Sequence, residues 1–328
     1  MEPVNWGVLS TANIAMTKVI PGMQRSKFSQ VAGIASRSSD KARRAADTLG
    51  IPRWYGSYAD LLADDDIEAV YIPLPNHMHH EWTLAAAQAG KHVLCEKPIS
   101  LTARDARDMI TACERSGVKL MEAFMYRQHP MWKEVKRMVD DGVIGEIQVI
   151  DTVFSFFNDD PTNIRNMPAA GGGALYDIGC YAVNVSRLLF GCEPDVVKAT
   201  IREDETMGID VVTSAVMRFG SGTASFVSST RMEPAQRVDV YGTEGRLVIE
   251  IPFNIPPDRP TRILEVKGGS PPVDPGIRVH QIPPADAYGI QADAFSGSIR
   301  TGSPVPVSAH DGVANLEVIE RIFADAKD

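Results

Sequence analysis

Apolar residues in the first 120 positions follow two alternating spacings. Short runs at Val4 to Ser10, Gln30 to Ser36, Ala69 to Pro73, His92 to Glu96 and Lys119 to Ala123 are too brief for helices and are nearly continuous in apolar character, which predicts strands buried on both faces. Between them, Asn13 to Arg25, Asp40 to Leu49, His80 to Ala89 and Ala103 to Ser116 space their apolar residues every three to four positions, which predicts amphipathic helices. Strand and helix in strict alternation predict an α/β fold, with a doubly wound parallel sheet covered on both faces.

Beyond about residue 125 the rhythm changes. A helix over Pro130 to Asp141 leads into a strand over Glu146 to Phe157, and a second helix covers Gly179 to Phe190. Strand patterns then follow at Val196 to Arg202, Val211 to Phe219, Thr223 to Ser229, Gln236 to Tyr241 and Arg246 to Ile251, joined by turns such as Gly220-Ser221-Gly222. This predicts a C-terminal α+β domain with a large open, mainly antiparallel sheet built from consecutive neighbours. Pro252 to Pro284 is rich in proline and glycine and suits edge strands and loops, and helices over Tyr288 to Arg300 and Ala309 to Ala326 close the chain. The expected division is a Rossmann domain over residues 1–124 and an α+β domain over 125–328, whose last helix could pack back on the first domain.

Composition narrows the class without naming it. A chain of 328 residues exceeds one ordinary core, in keeping with two domains. With 33 basic and 42 acidic residues the net charge is −9, which disfavours nucleic acid and anionic membrane as partners, so an anionic ligand must be held by local positive groups. No apolar run approaches the roughly 20 residues of a membrane span, and the N-terminus lacks a secretory pattern, from which a cytoplasmic location is expected. Cys95, Cys113, Cys180 and Cys192 form no C-x-x-C pair and read as reduced thiols, three of them in apolar or helical contexts.

Candidate chemistry begins at the first strand-to-helix turn, Gly7-Val8-Leu9-Ser10-Thr11-Ala12-Asn13-Ile14-Ala15. A pyrophosphate approaching backbone N–H groups there requires small side chains, and the glycine positions of the usual fingerprint fall on Ser10, Ala12 and Ala15. The second strand ends in Ser36-Arg37-Ser38, where an enzyme specific for NAD carries an acid for the ribose hydroxyls. Two hydroxyls and a guanidinium, with Lys41 or Arg43 nearby, suit a 2′-phosphate instead, so NADP is the expected cofactor. An ordinary helix start capped by Ser39 is the alternative for these residues. Glu96 and Lys97 follow the strand His92 to Cys95, and side chains at the carboxyl ends of parallel strands emerge beside the ligand. His77, His79 and His80 are not joined by an acid or cysteine at ligand spacing, and no metal is expected.

Five segments in this order resemble the family of glucose-fructose oxidoreductase, inositol dehydrogenase and the MocA rhizopine protein. They are Trp6 to Ala15, Pro73-Leu74-Pro75-Asn76-His77-Met78-His79, Gly90 to Pro98, Glu122-Ala123-Phe124-Met125-Tyr126-Arg127, and Gly171-Gly172-Gly173-Ala174-Leu175-Tyr176-Asp177-Ile178-Gly179-Cys180-Tyr181. The resemblance implies a hydride-transferring oxidoreductase with Lys97 as its catalytic lysine, Asp177 as the acid opening a D-x-x-x-H motif, and Tyr181 where many members carry histidine. Tyrosine at this position is shared with the branches of dimeric dihydrodiol dehydrogenase, NADP-dependent xylose dehydrogenase and glucose-fructose oxidoreductase, which disfavours inositol. The resemblance also implies that Leu74, Pro75, Asn76 and His79 wall the cofactor site, that Arg165 lies near the nicotinamide, and that Tyr126 and Arg127 line the active site. A homo-oligomer, dimer or tetramer, through the C-terminal sheet is implied as well.

A phenol beside an ammonium is stabilised as phenolate, so Tyr181 can act as acid and base with Lys97 polarising the substrate oxygen. The expected substrate is a small carbohydrate, polyol or diol. Asp159, Asp160, Asn163 and Arg165 would favour a hydroxyl-rich sugar, whereas Phe154, Phe156 and Phe157 would favour a reduced arene diol. A cofactor held tightly while two sugars exchange hydride, and a sensor that binds NADP without turnover, are the remaining readings.

Overall fold

A computed structural model of the chain describes residues 1–268 and 276–327, so the stretch 269–275 of the proline-rich segment lies outside the described residues. The protein forms two compact units, Met1–Met125 with Asp286–Val313, and Tyr126–Ala285 with Ala314–Asp328.

The first unit is built on a six-stranded sheet of β1 (Val4–Leu9), β2 (Ser29–Ala35), β3 (Arg53–Tyr55), β4 (Ala69–Ile72), β5 (His92–Cys95) and β6 (Leu120–Glu122), in the order β3-β2-β1-β4-β5-β6. All neighbours are parallel, as the unbroken apolar runs predict. The order reverses beside β1, which is where open parallel sheets bind ligands at their carboxyl edge. β3 has no counterpart in the sequence reading, because three residues with half-exposed side chains leave no apolar run. Crossovers are supplied by α1 (Ile20–Arg25), α2 (Ser39–Leu49), α3 (Tyr58–Leu62), α4 (His79–Gln88) and α5 (Ala103–Arg115). Ser38, Ser57 and Thr102 cap α2, α3 and α5 through their side-chain oxygens.

The Ala287–Thr301 helix completes this unit. Trp6 donates its indole N–H to Ser296 Oγ at 3.1 Å and its ring lies 5.6 Å from Phe295. Arg300 holds both oxygens of Glu68, at 2.5 and 2.7 Å, and donates to the carbonyls of Glu2 and Pro3. The helix crosses α1 with glycine against glycine: a methyl at Gly289 would lie 2.8 Å from the Gly22 carbonyl oxygen.

The second unit carries α6 (Pro130–Asp140), α7 (Cys180–Phe190) and an eight-stranded sheet of β7 (Ile147–Phe157), β8 (Val196–Asp204), β9 (Ile209–Phe219), β10 (Gly222–Ser229), β11 (Arg231–Gly242), β12 (Arg246–Ile249), β13 (Thr261–Lys267) and β14 (Gly276–Ile282). Its order is β14-β13-β12-β11-β7-β10-β9-β8. The consecutive-neighbour expectation therefore fails at one place: β7 inserts between β10 and β11 and runs parallel to β10. Within the proline-rich segment, β13 is paired on both sides and β14 forms the edge. Cys95, Cys113 and Cys180 are buried free thiols and Cys192 is exposed. Among the described residues no helix is long and apolar enough to cross a membrane.

His129 caps α6 by accepting the Met131 N–H at Nδ1, 3.1 Å away, and so must be unprotonated there. Burial pushes its pKa down to about 4, against the pull of the Ala285 carbonyl.

Two predictions follow from this packing. Alanine is ordinarily the better helix former, but at Gly289 it meets backbone that cannot yield, so Gly289→Ala should lower stability by about 1–3 kcal/mol. Gly297 in the same helix has open space where a Cβ would go, so Gly297→Ala should raise stability by about 0.5–1 kcal/mol, and urea unfolding of both variants reads the two signs. For His129 a folded pKa below the ordinary 6.5 means that its contribution is complete above that pH and disappears as pH falls toward 4. By pH 5 the loss should be on the order of 1 kcal/mol once solvent screening is allowed for, and His129→Asn, which keeps a capping oxygen, should flatten this part of the profile.

Candidate functional site

The first unit presents its turns at the carboxyl edge of the parallel sheet. After β1 the backbone at Ser10 has φ 154°, unusual for a residue with a side chain and the natural territory of glycine. Thr11, Ala12 and Ile14 are half-buried, Asn13 is exposed, and Ala15 is sealed in the core. The helix that starts here opens with a π-type turn over Ala15–Val19 and carries no acid in that turn. Its N-terminal N–H groups and uncompensated dipole suit an anion.

The loop after β2 places Arg37 and Lys41 at the surface, with Ser36 buried and Ser38 half-buried. Ser36 Oγ accepts the Ser38 N–H at 3.3 Å and Ser38 Oγ accepts the Lys41 N–H at 3.4 Å, so the helix cap is Ser38 and not Ser39. Both hydroxyls keep their own protons to donate. No acid stands between β2 and Ser39, so two hydroxyls, one guanidinium and one ammonium can meet a phosphate here.

The turns after β4 and β5 are locked together. Leu74 is buried, Pro75 and Asn76 are half-buried, and a short 3-10 turn over Asn76–Met78 leads into α4. His79 is fully buried, with one ring nitrogen 2.8 Å from the Pro98 carbonyl oxygen and the other 2.8 Å from that of Leu74. Burial pushes its pKa down to about 4 despite those two carbonyls. Both carbonyls only accept, so a ring kept neutral by burial donates to one of them at a time, and because it has no exposed surface it acts on any ligand only through the turns it joins. Glu96 Oε1 accepts the Tyr71 hydroxyl at 2.6 Å, and its Oε2 accepts the Lys97 N–H at 3.3 Å. Glu122 accepts the Ile99 N–H at 2.7 Å. Lys97, half-buried, is thus carried on a turn whose backbone is pinned on both sides.

The second unit holds Arg165, Asp177 and Tyr181. Arg165 Nε donates to Asp177 Oδ2 at 2.8 Å. Asp177 lies in a π-type turn over Leu175–Gly179 that runs on into α7, so Asp177 and Tyr181 sit four residues apart on one helical run. The sequence suggests that Gly171, Gly172 and Gly173 let backbone approach a substrate. The structure instead gives that space to the protein itself. Gly171 ends a 3-10 turn with φ 75°, a Cβ at Gly172 would lie 2.5 Å from the Arg165 carbonyl oxygen, and one at Gly173 would lie 1.9 Å from Asp210 Oδ1. Asp210 is buried and accepts the Leu175 N–H at 2.7 Å and the Thr213 hydroxyl at 2.8 Å. Burial pushes its carboxyl up, opposed by those two bonds.

Tyr181 is only 6% exposed and lies in an aromatic nest with ring centroids 4.9 Å from Phe253, 5.6 Å from Phe154 and 5.9 Å from Tyr126. Tyr126 is fully buried and donates its hydroxyl to Asn184 Oδ1 at 2.5 Å, while Arg127, half-buried, reaches the same oxygen at 3.3 Å. The two residue sets weighed for substrate choice part company here. Phe154 is consumed by packing against Tyr181 and Phe253, and Phe157 is 60% exposed at the end of β7. Asn163 accepts the Arg165 N–H at 3.1 Å, which connects the polar loop to Asp177 through Arg165. Asp159 and Asp160 are exposed.

Asp210 and Asn184 escaped the sequence reading. The available signal was a single polar residue in each of two apolar runs, Ile209-Asp210-Val211 and Val183-Asn184-Val185. Among the described residues no group of three or more His, Cys, Asp or Glu side chains could hold a metal ion; His77 is exposed and His80 pairs with Asp108 at 2.8 Å.

Comparison with known proteins agrees with this arrangement of elements. The pattern of the oxidoreductase family with an NAD-binding Rossmann fold, GFO/IDH/MocA, matches residues 4–124, and that of the GFO/IDH/MocA C-terminal domain matches residues 132–248. The chain is 38% identical to D-xylose 1-dehydrogenase (NADP(+)) 2 of Haloferax volcanii, over 98% of this chain and 97% of that protein. It superposes on KijD10, a 3-ketoreductase from Actinomadura kijaniata in complex with NADP and TDP-benzene, with a TM-score of 0.92 and 28% identity, covering 99% and 98% of the two chains. Aldose-aldose oxidoreductase from Caulobacter crescentus, complexed with glycerol, gives a TM-score of 0.91 at 30% identity over 99% and 98%. With both halves of its length matched and its parallel and open sheets in the family arrangement, the chain belongs to the GFO/IDH/MocA family of NAD(P)-dependent oxidoreductases.

Proposed function

We propose that the protein is an NADP(H)-dependent dehydrogenase or reductase acting at a carbinol or carbonyl carbon of a sugar or polyol. The observation that carries the substrate class is the link from Asn163 through Arg165 to Asp177, four residues before Tyr181 on the same helical run. A salt-bridged carboxylate beside a phenol offers acceptors to neighbouring hydroxyls, as a polyol requires. Relatives support the same class: one is named for D-xylose with NADP(+), and another carries glycerol.

The residues present fit the dinucleotide. The acid-free turn at Ser10, Thr11, Ala12, Asn13 and Ile14 receives the pyrophosphate, and Ser36, Arg37, Ser38 and Lys41 receive the 2′-phosphate. Leu74, Pro75 and Asn76 line its path, shaped by His79 and by the turn that Glu96 pins, and Arg127 and Arg165 serve its nicotinamide end. When bound, NADP(H) supplies or accepts the hydride. In this reading Lys97 polarises the substrate oxygen with its ammonium, Tyr181 takes or returns the hydroxyl proton, and Asp177, oriented by Arg165, holds an adjacent hydroxyl. The aromatic nest keeps the Tyr181 ring in one rotamer, and the second reading, a trans-dihydrodiol dehydrogenase, is supported by a relative named for that activity. Strand register places Val149, Phe157, Val216, Ile277 and Val279, all exposed, on one face of the second sheet, which supports a homo-oligomer through that face.

Removal of the phenol hydroxyl should slow turnover sharply and leave nucleotide binding intact. Tyr181→Phe is expected to lower kcat about 100-fold or more, with the NADPH dissociation constant unchanged, and full turnover in this variant would exclude the role. A panel of aldoses, polyols and arene diols, each with NADP and NAD, should give the highest kcat/KM with an aldose or polyol and NADP. A preference for the diols would select the second reading, and nucleotide binding without turnover on any of them would support a sensor.

A further inference from the structure

The loop that leads from β7 to the glycine run carries Arg165 and is itself largely polar and exposed. Among the described residues from 158 to 169, Asn166 alone is buried, 3% exposed, while Arg165, its neighbour in the chain, keeps 42% of its side chain in solvent. A loop with so little apolar burial must offset the entropy of its ordering with hydrogen bonds.

Asn166 supplies them from within. Its Nδ2 donates to Asn158 Oδ1 at 2.9 Å and to the Asp160 carbonyl at 2.8 Å, with the Asn158 carbonyl at 3.4 Å, and its Oδ1 accepts Arg231 Nη1 at 3.4 Å. One amide thus joins residues eight positions apart and closes the loop into a ring. Arg231 fastens that ring to the sheet: Nη1 also donates to the Asn158 carbonyl, and Nη2 meets Asp204 Oδ2, at the end of β8, at 3.4 Å. An amide suits this place because it donates to the loop and accepts from the guanidinium at once. On the other side, the Arg165 carbonyl accepts the Gly173 N–H at 2.9 Å. The Arg165 backbone is therefore held between the ring and the glycine run, and from there its Nε reaches Asp177 Oδ2 at 2.8 Å.

We propose that Asn166 is a positioning residue for substrate recognition: by closing the loop it fixes where the Arg165 guanidinium meets Asp177, and so where that carboxylate waits for a substrate hydroxyl. The inference rests on the assignment of Asp177 to a hydroxyl beside the reacting carbon. Asn166, being buried, need not touch substrate or nucleotide. A loop ordered beforehand spares that cost when the substrate binds, so its benefit lies in substrate affinity and not in the hydride step.

Steady-state kinetics of the full chain, with the aldose or polyol that gives the highest kcat/KM, tests this beside fluorescence titration of NADPH. Asn166→Ala should raise KM about tenfold, the worth of one hydrogen bond to a charged group, while kcat and the NADPH dissociation constant change less than about twofold. In an Arg165→Ala background the same substitution should raise KM no further, because the side chain through which it acts is gone. Arg231→Lys keeps a charge beside Asp204 but lacks the fork that reaches Asn158 and Asn166; it should move KM in the same direction and stands in if Asn166→Ala does not fold. An unchanged KM in the variant that folds, an equal loss of substrate and NADPH affinity, or additive effects in the double variant would reduce Asn166 to a packing residue and overturn the proposal. If Arg165→Ala itself leaves KM untouched, or no sugar or polyol is turned over, the assignment of Asp177 fails and this inference falls with it, a result distinct from failure at Asn166 alone.

Discussion

A turn that leaves the end of a buried strand must satisfy its amide and carbonyl groups inside the protein, because water cannot reach them. That requirement governs how Lys97 is carried. Leaving β5, the chain gives its Lys97 and Ile99 N–H groups to Glu96 and Glu122, and the Pro98 carbonyl faces His79. Three ionisable side chains are thereby consumed in holding one backbone segment still. A flexible turn would let the lysine ammonium wander by ångströms, and preorganised charge is effective only where it does not have to move.

The second unit meets the same requirement with glycine. Backbone approaches backbone at Gly172, and a buried carboxylate, Asp210, takes the room that a side chain at Gly173 would need. Asp210 then receives the Leu175 N–H at the start of the helical run bearing Asp177 and Tyr181. In one unit carboxylates secure the turn bearing the candidate lysine, and in the other a carboxylate secures the helix that bears the phenol. Each lies next to the candidate residues and none of the three supporting acids need touch a substrate.

How much of this was legible depends on the range of the interaction. The longer helices and most strands are local facts, and their periodicity placed them correctly, whereas the five-residue α3 was missed. The resemblance rested on contiguous motifs, so the family followed from sequence alone. β3 stayed hidden because a half-exposed three-residue strand has no pattern, and the cap fell on Ser38 because cap geometry turns on single dihedral angles. Asp210 acts on Leu175, 35 residues away, and nothing in a linear pattern reports such a meeting. The glycine run carries the opposite hazard: its motif can be read in the sequence, but a glycine's reason lies in what occupies the space next to it.

The placement of β7 has a consequence for how the larger sheet comes into being. The ribbon from β8 to β10 and the ribbon from β11 to β14 can each grow by hairpins, with little chain to close. Thr230 alone carries the chain from one ribbon to the other, and in the hydrogen-bonded order of the sheet they meet through β7, which was synthesised before both. The sheet is thus two local products riveted by one early strand, and the slow event in its assembly is the capture of that strand from both sides, a contact of long sequence separation. A lesion in β7 would leave two intact ribbons with no seam to share, and so would disorder the whole layer without altering a single hairpin.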